Sequence, residues 1–553
     1  MSINKLLFVL LVGLVFSKNI QAQSRDSLIK DNEIDVIKTF RPILSEAIKI
    51  PVNPNPEKPE IITRTFTYQI PEQQLIIQPT LYTIKPLSLG TALLPKLKNN
   101  YFKLGFGNYV SPLAEIYFNS VRNKQRQAGL FAKHFSANGD NSFNAFSDNL
   151  VYGYLKQFIG KGSYGIDALY SRNAVMKYAA INDNDKKQLV YQLYEAKGFY
   201  QNYTSDSSGL FYKMDMGYYN YLGNFGVKEN DFFAKIKLGK FFNEVPFELV
   251  SGLQLNNTNK DSNSIDGSTG LKRVYFDLNP QVTLSGSDYY LKGGFNSTYV
   301  SESGGGSFHF FPKAEAGYYL IQNKLTVLGG FTGNLKPNTF RSITNENPFA
   351  SAINLRNTIT HFELYGEIKG QLTPMTNFSL MASTSKIENM LFYALDSISG
   401  RQVSVYDMAN STLVKFGVYL NHSFNEKFRI GIGFTKYNYK LQYQYLSNPY
   451  SRPPYELKAH ATYNIGDKFL IKFDLFYMGE RKGVSKNWLD PGSGFYESKI
   501  SDYIDANFGI DYRYNKNLSA FISIYNIANN RYQRFNSYQV YGINAMGGFT
   551  FTF

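Results

Sequence analysis

The residues able to do chemistry are few and scattered. The five histidines, His134, His309, His361, His422 and His460, have no mutual spacing that would bring two of them onto one metal ion. There is no cysteine, which removes thiolate catalysis, Cys-based metal sites, disulfides and lipid attachment through cysteine. Gly304-Gly305-Gly306 lies between strand-like runs with no helix behind it, so it reads as a flexible loop and not as a phosphate cradle. Asp505 and Asp511 have Lys472 and Arg513 close in strand order, so opposed charges knitting a wall together explain them better than acid–base work. No G-x-S-x-G nucleophile element occurs. Trp488, the single tryptophan, sits in a long basic break and is the candidate for stacking on a ligand; its plainer role is loop packing or an interface anchor. The set points away from an enzyme and calls for no cofactor and no metal.

What must position these residues is legible at the two ends. MSINKLLFVLLVGLVFSKNIQAQ carries Lys5, an apolar run from Leu6 to Phe16 and a small-residue site at Ala22. It reads as a signal peptide, residues 1–22, because the run falls short of the ~20 apolar residues that a spanning helix needs. At the other end Ile543, Ala545, Gly547, Phe549, Phe551 and Phe553 alternate with mostly polar or small residues. Period-two alternation makes this a strand with one greasy and one wet face. With 44 Tyr, 45 Phe and 16% aromatic residues, the composition suits strands and membrane interfaces. Mean hydropathy is −0.30, as expected when only alternate strand residues face lipid. The formal charge of +15 reads as a solvated surface, or as attraction to anionic head groups or solutes. No basic cluster belongs to a nucleic-acid module, so no nucleic-acid partner is expected.

The chain changes texture near Lys98. Residues 23–98 hold Pro42, Pro51, Pro54, Pro56, Pro59, Pro71, Pro79, Pro86 and Pro95, and proline removes donors and fixes φ. The stretch Pro51–Glu60 reads as a stiff spacer; Glu33–Phe40 and Phe66–Ile84 can each add a short strand to something else. From residue 99 to 553 strand-like runs repeat. FLIKFDLFYM puts Phe469, Ile471, Phe473, Leu475 and Tyr477 outward, with Lys472 and Asp474 inward. YELKAHATYN and YIDANFGIDYRY do the same, with His460, Asp505, Asp511 and Arg513 on the inner face. Charges on that face exclude a dry core.

The breaks between runs alternate short and long. Ten are short, among them GKGS at Gly160, FNEVP at Phe242, QNK at Gln322 and GDK at Gly466. Long ones include NLKPNTFRSITNENPFASAINLRNT and ERKGVSKNWLDPGSGFYESK. Short turns at one rim and long loops at the other are the habit of outer-membrane barrels. Ten turns and eleven loops give about 22 strands. The predicted fold is all-β: a transmembrane antiparallel β-barrel of about 22 strands behind a proline-rich N-terminal segment.

Such a barrel resembles that of TonB-dependent receptors. Asn526-Ile527-Ala528-Asn529-Asn530-Arg531-Tyr532, ahead of a final strand ending in Phe553, is similar to the N-[LI]-x-N-x-x-Y element of that family. The resemblance covers residues 99–553 and implies a protein of the outer membrane, in contact with its lipid, acting in transport or within an outer-membrane complex. Asp35-Val36-Ile37-Lys38-Thr39 loosely resembles a TonB box, which implies TonB as a partner through β-augmentation. The family carries a plug of well over a hundred residues ahead of the barrel. The proline-rich 23–98 segment does not match one, so the chain resembles a plug-reduced relative of Bacteroidota type. The lumen would then be closed by that segment, by infolded loops, or by a periplasmic or surface lipoprotein partner. The alternative is a passive porin or hydrophobic-solute channel with fewer strands.

Overall fold

Strands that present one apolar and one polar face can satisfy every backbone group in hydrocarbon only if their sheet closes on itself. In the computed structural model it does. The structure describes residues 100–553 except 121–122, 140–144, 180–186, 203–208, 225, 260–269, 303, 352–354, 443–445, 488–491 and 493. In chain order the strands begin β1 (Asn100–Gly107), β2 (Ser111–Asn119), β3 (Arg126–Ala137), β4 (Phe146–Ile159), β5 (Gly162–Lys177), β6 (Lys187–Asn202) and β7 (Phe211–Gly223). They continue with β8 (Lys228–Phe242), β9 (Val245–Asn259), β10 (Leu271–Ser285), β11 (Tyr289–Glu302), β12 (Gly305–Ile321) and β13 (Leu325–Lys336). One helix, α1 (Phe340–Glu346), precedes β14 (Thr358–Thr373), β15 (Thr376–Glu388), β16 (Met390–Asp396), β17 (Gln402–Asp407), β18 (Ser411–Ser423) and β19 (Phe428–Lys440). Then come β20 (Tyr455–Ile465), β21 (Phe469–Met478), β22 (Arg481–Lys486), β23 (Tyr496–Ile500), β24 (Tyr503–Arg513) and β25 (Leu518–Tyr525). The last are β26 (Gln533–Phe535), β27 (Tyr538–Gln539) and β28 (Asn544–Thr552).

Among the described residues, 22 of these strands form one sheet. Successive wall strands pair antiparallel, and the last returns to the first, with Tyr101 opposite Thr552 and Gly107 opposite Met546. The sheet is therefore a closed antiparallel barrel with no free edge. Strands ~4.8 Å apart and tilted by ~40° make a 22-stranded wall ~40 Å across, backbone to backbone.

All ten short breaks fall at the rim where β1 begins. One is Asn243–Glu244, both in the left-handed region that a two-residue hairpin requires. The eleven other connections fall at the opposite rim. Three of them, at 108–110, 224–227 and 303–304, are as tight as the turns, so the short–long alternation is incomplete. Gly305 and Gly306 correct another expectation: they open β12, paired to β11, and only Gly304 of that run lies in a turn. The helix α1, inside the break at 337–357, had no counterpart in the sequence reading.

The two faces separate as the alternation requires. Ile166, Met216, Phe310, Leu364, Phe416 and Ile522 point outward and are exposed. The inner face carries ion pairs: Lys133–Glu115 at 3.3 Å, Lys213–Asp215 at 3.3 Å, Lys237–Glu248 at 3.2 Å and Lys472–Asp511 at 3.0 Å. Phe473 lies opposite Ala461 and Phe508, whereas Asp474 lies opposite His460 and Asn507. Phe473→Lys should therefore cost about 2–4 kcal/mol, as a charge in hydrocarbon near the midplane does. Asp474→Lys, one residue on, should be mild. Heat-modifiable gel mobility measures both, and equal loss of the folded band would contradict the assigned faces.

Candidate functional site: loops that bridge the barrel mouth

At the loop rim the connections fold together over the lumen. Met390-Leu391-Phe392-Tyr393-Ala394-Leu395 is an unbroken apolar run, the pattern of a strand covered on both faces. Every residue of it is buried. Met390, Phe392 and Ala394 pack with Leu446, Tyr450 and Val484 on one side. Leu391 and Tyr393 pack with Ile343, Ala350 and Tyr406 on the other. This strand, β16, is the spine of a four-stranded sheet in the order β17-β16-β22-β23, in which β16 and β22 run parallel.

The β16–β17 hairpin rises between β15 and β18, and its tip contacts the end of β5. The Lys177 Nζ donates to the Ser399 carbonyl at 2.5 Å. In the ring of 22 strands, β5 and β15 stand almost opposite one another. The eleven residue-to-residue steps from Glu388 to Ser399 reach ~36 Å when extended at ~3.3 Å each, which matches the width of the lumen. The hairpin is long enough to bridge the mouth and is anchored on its far side.

The loop 526–543 locks the hairpin in place. Tyr538 donates to the Gly400 carbonyl at the tip and stacks on Phe349 at 3.5 Å between centroids. Gln402 Nε2 donates to the Asn536 carbonyl at 3.0 Å, and Asn536 Nδ2 to the Val484 carbonyl at 3.2 Å. The Asn-rich element supplies the geometry of this loop. Asn526 (φ 49°) and Asn529 (φ 51°) take the left-handed conformation that Asn tolerates best after Gly. Asn526 Nδ2 donates to the carbonyls of Asn530 at 2.8 Å and Tyr541 at 2.7 Å, closing the loop on itself. Tyr532 stacks on Tyr503 at 3.6 Å and donates to Asp505 at 2.6 Å. Asp505 thus holds a loop, a role that strand order alone did not give it; Asp511 is the carboxylate that pairs with Lys472.

The loop 337–357 docks on a different part of the wall. Two consecutive inward rows run across β6 to β10. One is Glu195, Tyr219, Asp231, Asn256 and Arg273; the next, nearer the rim, includes Leu193, Tyr221, Glu229 and Thr258. Arg273, buried, donates to Asn338 O at 3.0 Å and Asn357 Oδ1 at 3.1 Å, clamping both stems of the loop. Glu229, fully buried, accepts from the Phe340 N–H at 2.6 Å, the Arg341 N–H at 3.4 Å, Tyr219 at 2.8 Å and Thr258 at 3.1 Å. The Arg341 guanidinium lies 2.6 Å from Glu195 and 4.5 Å from the centre of the Tyr219 ring. Phe340 fills the aromatic pocket of Tyr191 and Tyr221. Arg452 then ties this loop to the hairpin, pairing with Glu346 at 2.8 Å and donating to Leu391 O at 2.9 Å. None of these docking residues was singled out from the sequence. Glu229 and Asp231, two apart in one strand, were a usable signal for a charged inward patch.

A fourth loop is held by one carboxylate. Ser447, Asn448 and Tyr450 each donate to Glu497 Oε1 at 2.7 Å. These bonds hold the Glu497 pKa below the usual carboxylate range. The folded value is depressed, so docking of residues 446–454 is stabilised above the ordinary Glu pKa of ~4.3 and lost as pH falls through the folded one. Amide exchange in 446–454 should accelerate on acidification, and Glu497→Gln should show the fast rate already at neutral pH. An exchange rate in the variant equal to wild type at neutral pH would sink this reading.

Asp35, Val36, Ile37, Lys38, Thr39 and Trp488 lie outside the described residues. His460 faces the lumen, across from Asp474, as its strand pattern requires.

No family model matches the chain, and no curated protein matches it. Solved structures do. It is similar to the ferric-catecholate import receptor Fiu from E. coli K12 (12% identity, 83% of this chain and 82% of that one, TM-score 0.63). It is similar to the siderophore receptor PiuA from Acinetobacter baumannii (10%, 83% and 82%, TM-score 0.62). It is also similar to the ferripyoverdine receptor of the outer membrane of Pseudomonas aeruginosa (12%, 83% and 72%, TM-score 0.61). The shared feature at these identities is the fold.

Proposed function

We propose that this protein is a gated outer-membrane transporter of the TonB-dependent receptor type, in a Gram-negative bacterium. The observation that carries the reading is the bridged mouth. A 22-stranded lumen is too wide for wall side chains to fill. Here a hairpin whose first strand is buried on both faces crosses it, and its tip is fixed by Lys177 on the opposite wall and by Tyr538 of the loop 526–543. A passive porin narrows its channel but leaves it open, whereas an uptake system that must not leak needs its mouth closed. The fold shared with siderophore receptors supports the same reading.

Finer assignments belong to this proposal. Residues 1–22 are the export signal. Residues 23–98 thread the lumen, with Phe66–Ile84 on the inner wall, or dock a periplasmic partner through Val36–Phe40. Asp35–Thr39 lends a strand to TonB by β-augmentation. The chain is a plug-reduced receptor of Bacteroidota type, working with a periplasmic or surface lipoprotein, and Trp488 stacks on its ligand. The direct test deletes Ser24–Leu94 behind an intact signal peptide. If the segment closes the pore, the strain becomes antibiotic-sensitive and the barrel conducts. If it is a tether, the pore stays shut and a partner disappears from pull-downs. A strain that neither leaks nor loses a partner would show that the segment does neither job. A wild-type barrel that conducts freely would overturn the gated reading itself.

A further inference from the structure

The strongest unassigned feature is the socket that Arg341 occupies. Glu195, Tyr219 and Asp231 stand side by side in one cross-strand row on the inner wall. Glu195 and Asp231 are buried. Into this row the loop inserts a guanidinium, 2.6 Å from Glu195 and over the Tyr219 ring at 4.5 Å. Lys197 also pairs with Glu195. Asp231 Oδ2 accepts from Gln254 at 2.8 Å and Asn256 at 2.9 Å, but its buried Oδ1 has no hydrogen-bond partner. The wall therefore offers two carboxylates and an aromatic face to one loop cation, with one carboxylate oxygen still open. Two acidic walls and a ring face fit a planar guanidinium, which is weakly hydrated and stacks.

We propose that this row is a recognition site for guanidinium-bearing solutes, and that Arg341 is its built-in competitor. A solute carrying that group takes the place of Arg341 against Glu195 and Tyr219. Helix α1 then loses one attachment to the wall, so binding loosens the loop 337–357, which Glu229 and Arg273 still hold. The proposal rests on the receptor reading and names the ligand chemistry that would open this part of the mouth.

The test uses the full-length protein in detergent, with heat-modifiable mobility as the folding control. Arg341→Ala empties the socket. Methylguanidinium should bind the variant at millimolar concentration in saturation-transfer NMR, at least tenfold more tightly than the uncharged isostere methylurea. Glu195→Gln added to the variant should abolish that binding. In wild type, triarginine should speed exchange in the same residues, and trilysine should do so less. Methylguanidinium and methylurea binding alike, or no methylguanidinium binding to a folded Arg341→Ala barrel, would overturn the proposal. Either result leaves the gated-transporter reading standing, because conductance judges that one independently.

Discussion

A barrel lacking both residues 24–94 and the β16–β17 hairpin should conduct in planar bilayers, in steps larger than those of porins with about 16–18 strands. Barrel diameter grows with strand number, so the open lumen of this wall exceeds theirs. The hairpin can be removed without touching the wall. β15 and β18 pair in register from Thr376 opposite His422 to Ile387 opposite Ser411, so a two-residue turn can replace 389–410. What the deletion takes away is the span across the mouth, with its anchors at Lys177 and Tyr538. Removing either part alone separates their contributions. Conductance from the hairpin deletion alone would mean that the N-terminal segment closes nothing. A silent double variant that still shows its folded band on gels would refute the hairpin as the closing element.

The second large effect is at Glu229. Its carboxylate serves four donors in a site without solvent, two of them the first backbone N–H groups of α1. Glu229→Ala leaves these groups unpaired, and each buried unsatisfied group costs about 1–3 kcal/mol. Water entering the space relieves part of that, so we expect roughly 3 kcal/mol of lost docking for the loop 337–357. Exchange in residues 340–347 should then speed by about a hundredfold. Glu229→Gln keeps one acceptor oxygen and the side-chain volume, and should fall in between. Because the backbone ladder of β7, β8 and β9 is untouched, the barrel itself should stay folded in both variants. If alanine and glutamine change exchange equally, the lost charge and not the lost acceptors holds the loop.

The wall was legible in the sequence because its two signals are local. Alternation in runs such as FLIKFDLFYM fixes which side chains face lipid, and a turn such as Asn243–Glu244 needs nothing but its own residues. Ten such turns were enough to set the strand number. The cap was not legible, because its contacts join residues far apart in the chain. Tyr538 meets Gly400 across 138 residues, and Phe340 meets Glu229 across 111. Register decides those meetings, and register follows from the folded barrel. The run Met390–Leu395 did carry a warning, since a strand between lipid and a wet lumen is not apolar on both faces. The Asn-rich element was recognised by resemblance, and its reason emerged only with the left-handed Asn526 and Asn529.

The seam between β1 and β28 sets the order in which this molecule can be made. Nearly every wall hairpin joins neighbours in sequence and needs only local chain. The seam joins groups such as Asn108 and Ala545, 437 residues apart. Contacts of such separation form late, since the entropy of closing a long loop is lost before the contact returns anything. The bridge over the mouth inherits that delay, because the Tyr178–Gln539 bond spans 361 residues and uses the connection just before β28. A nascent chain therefore passes through an open, twisted sheet with two bare edges, the form most exposed to misassembly. Closure of the seam and completion of the bridge should appear as one late kinetic phase.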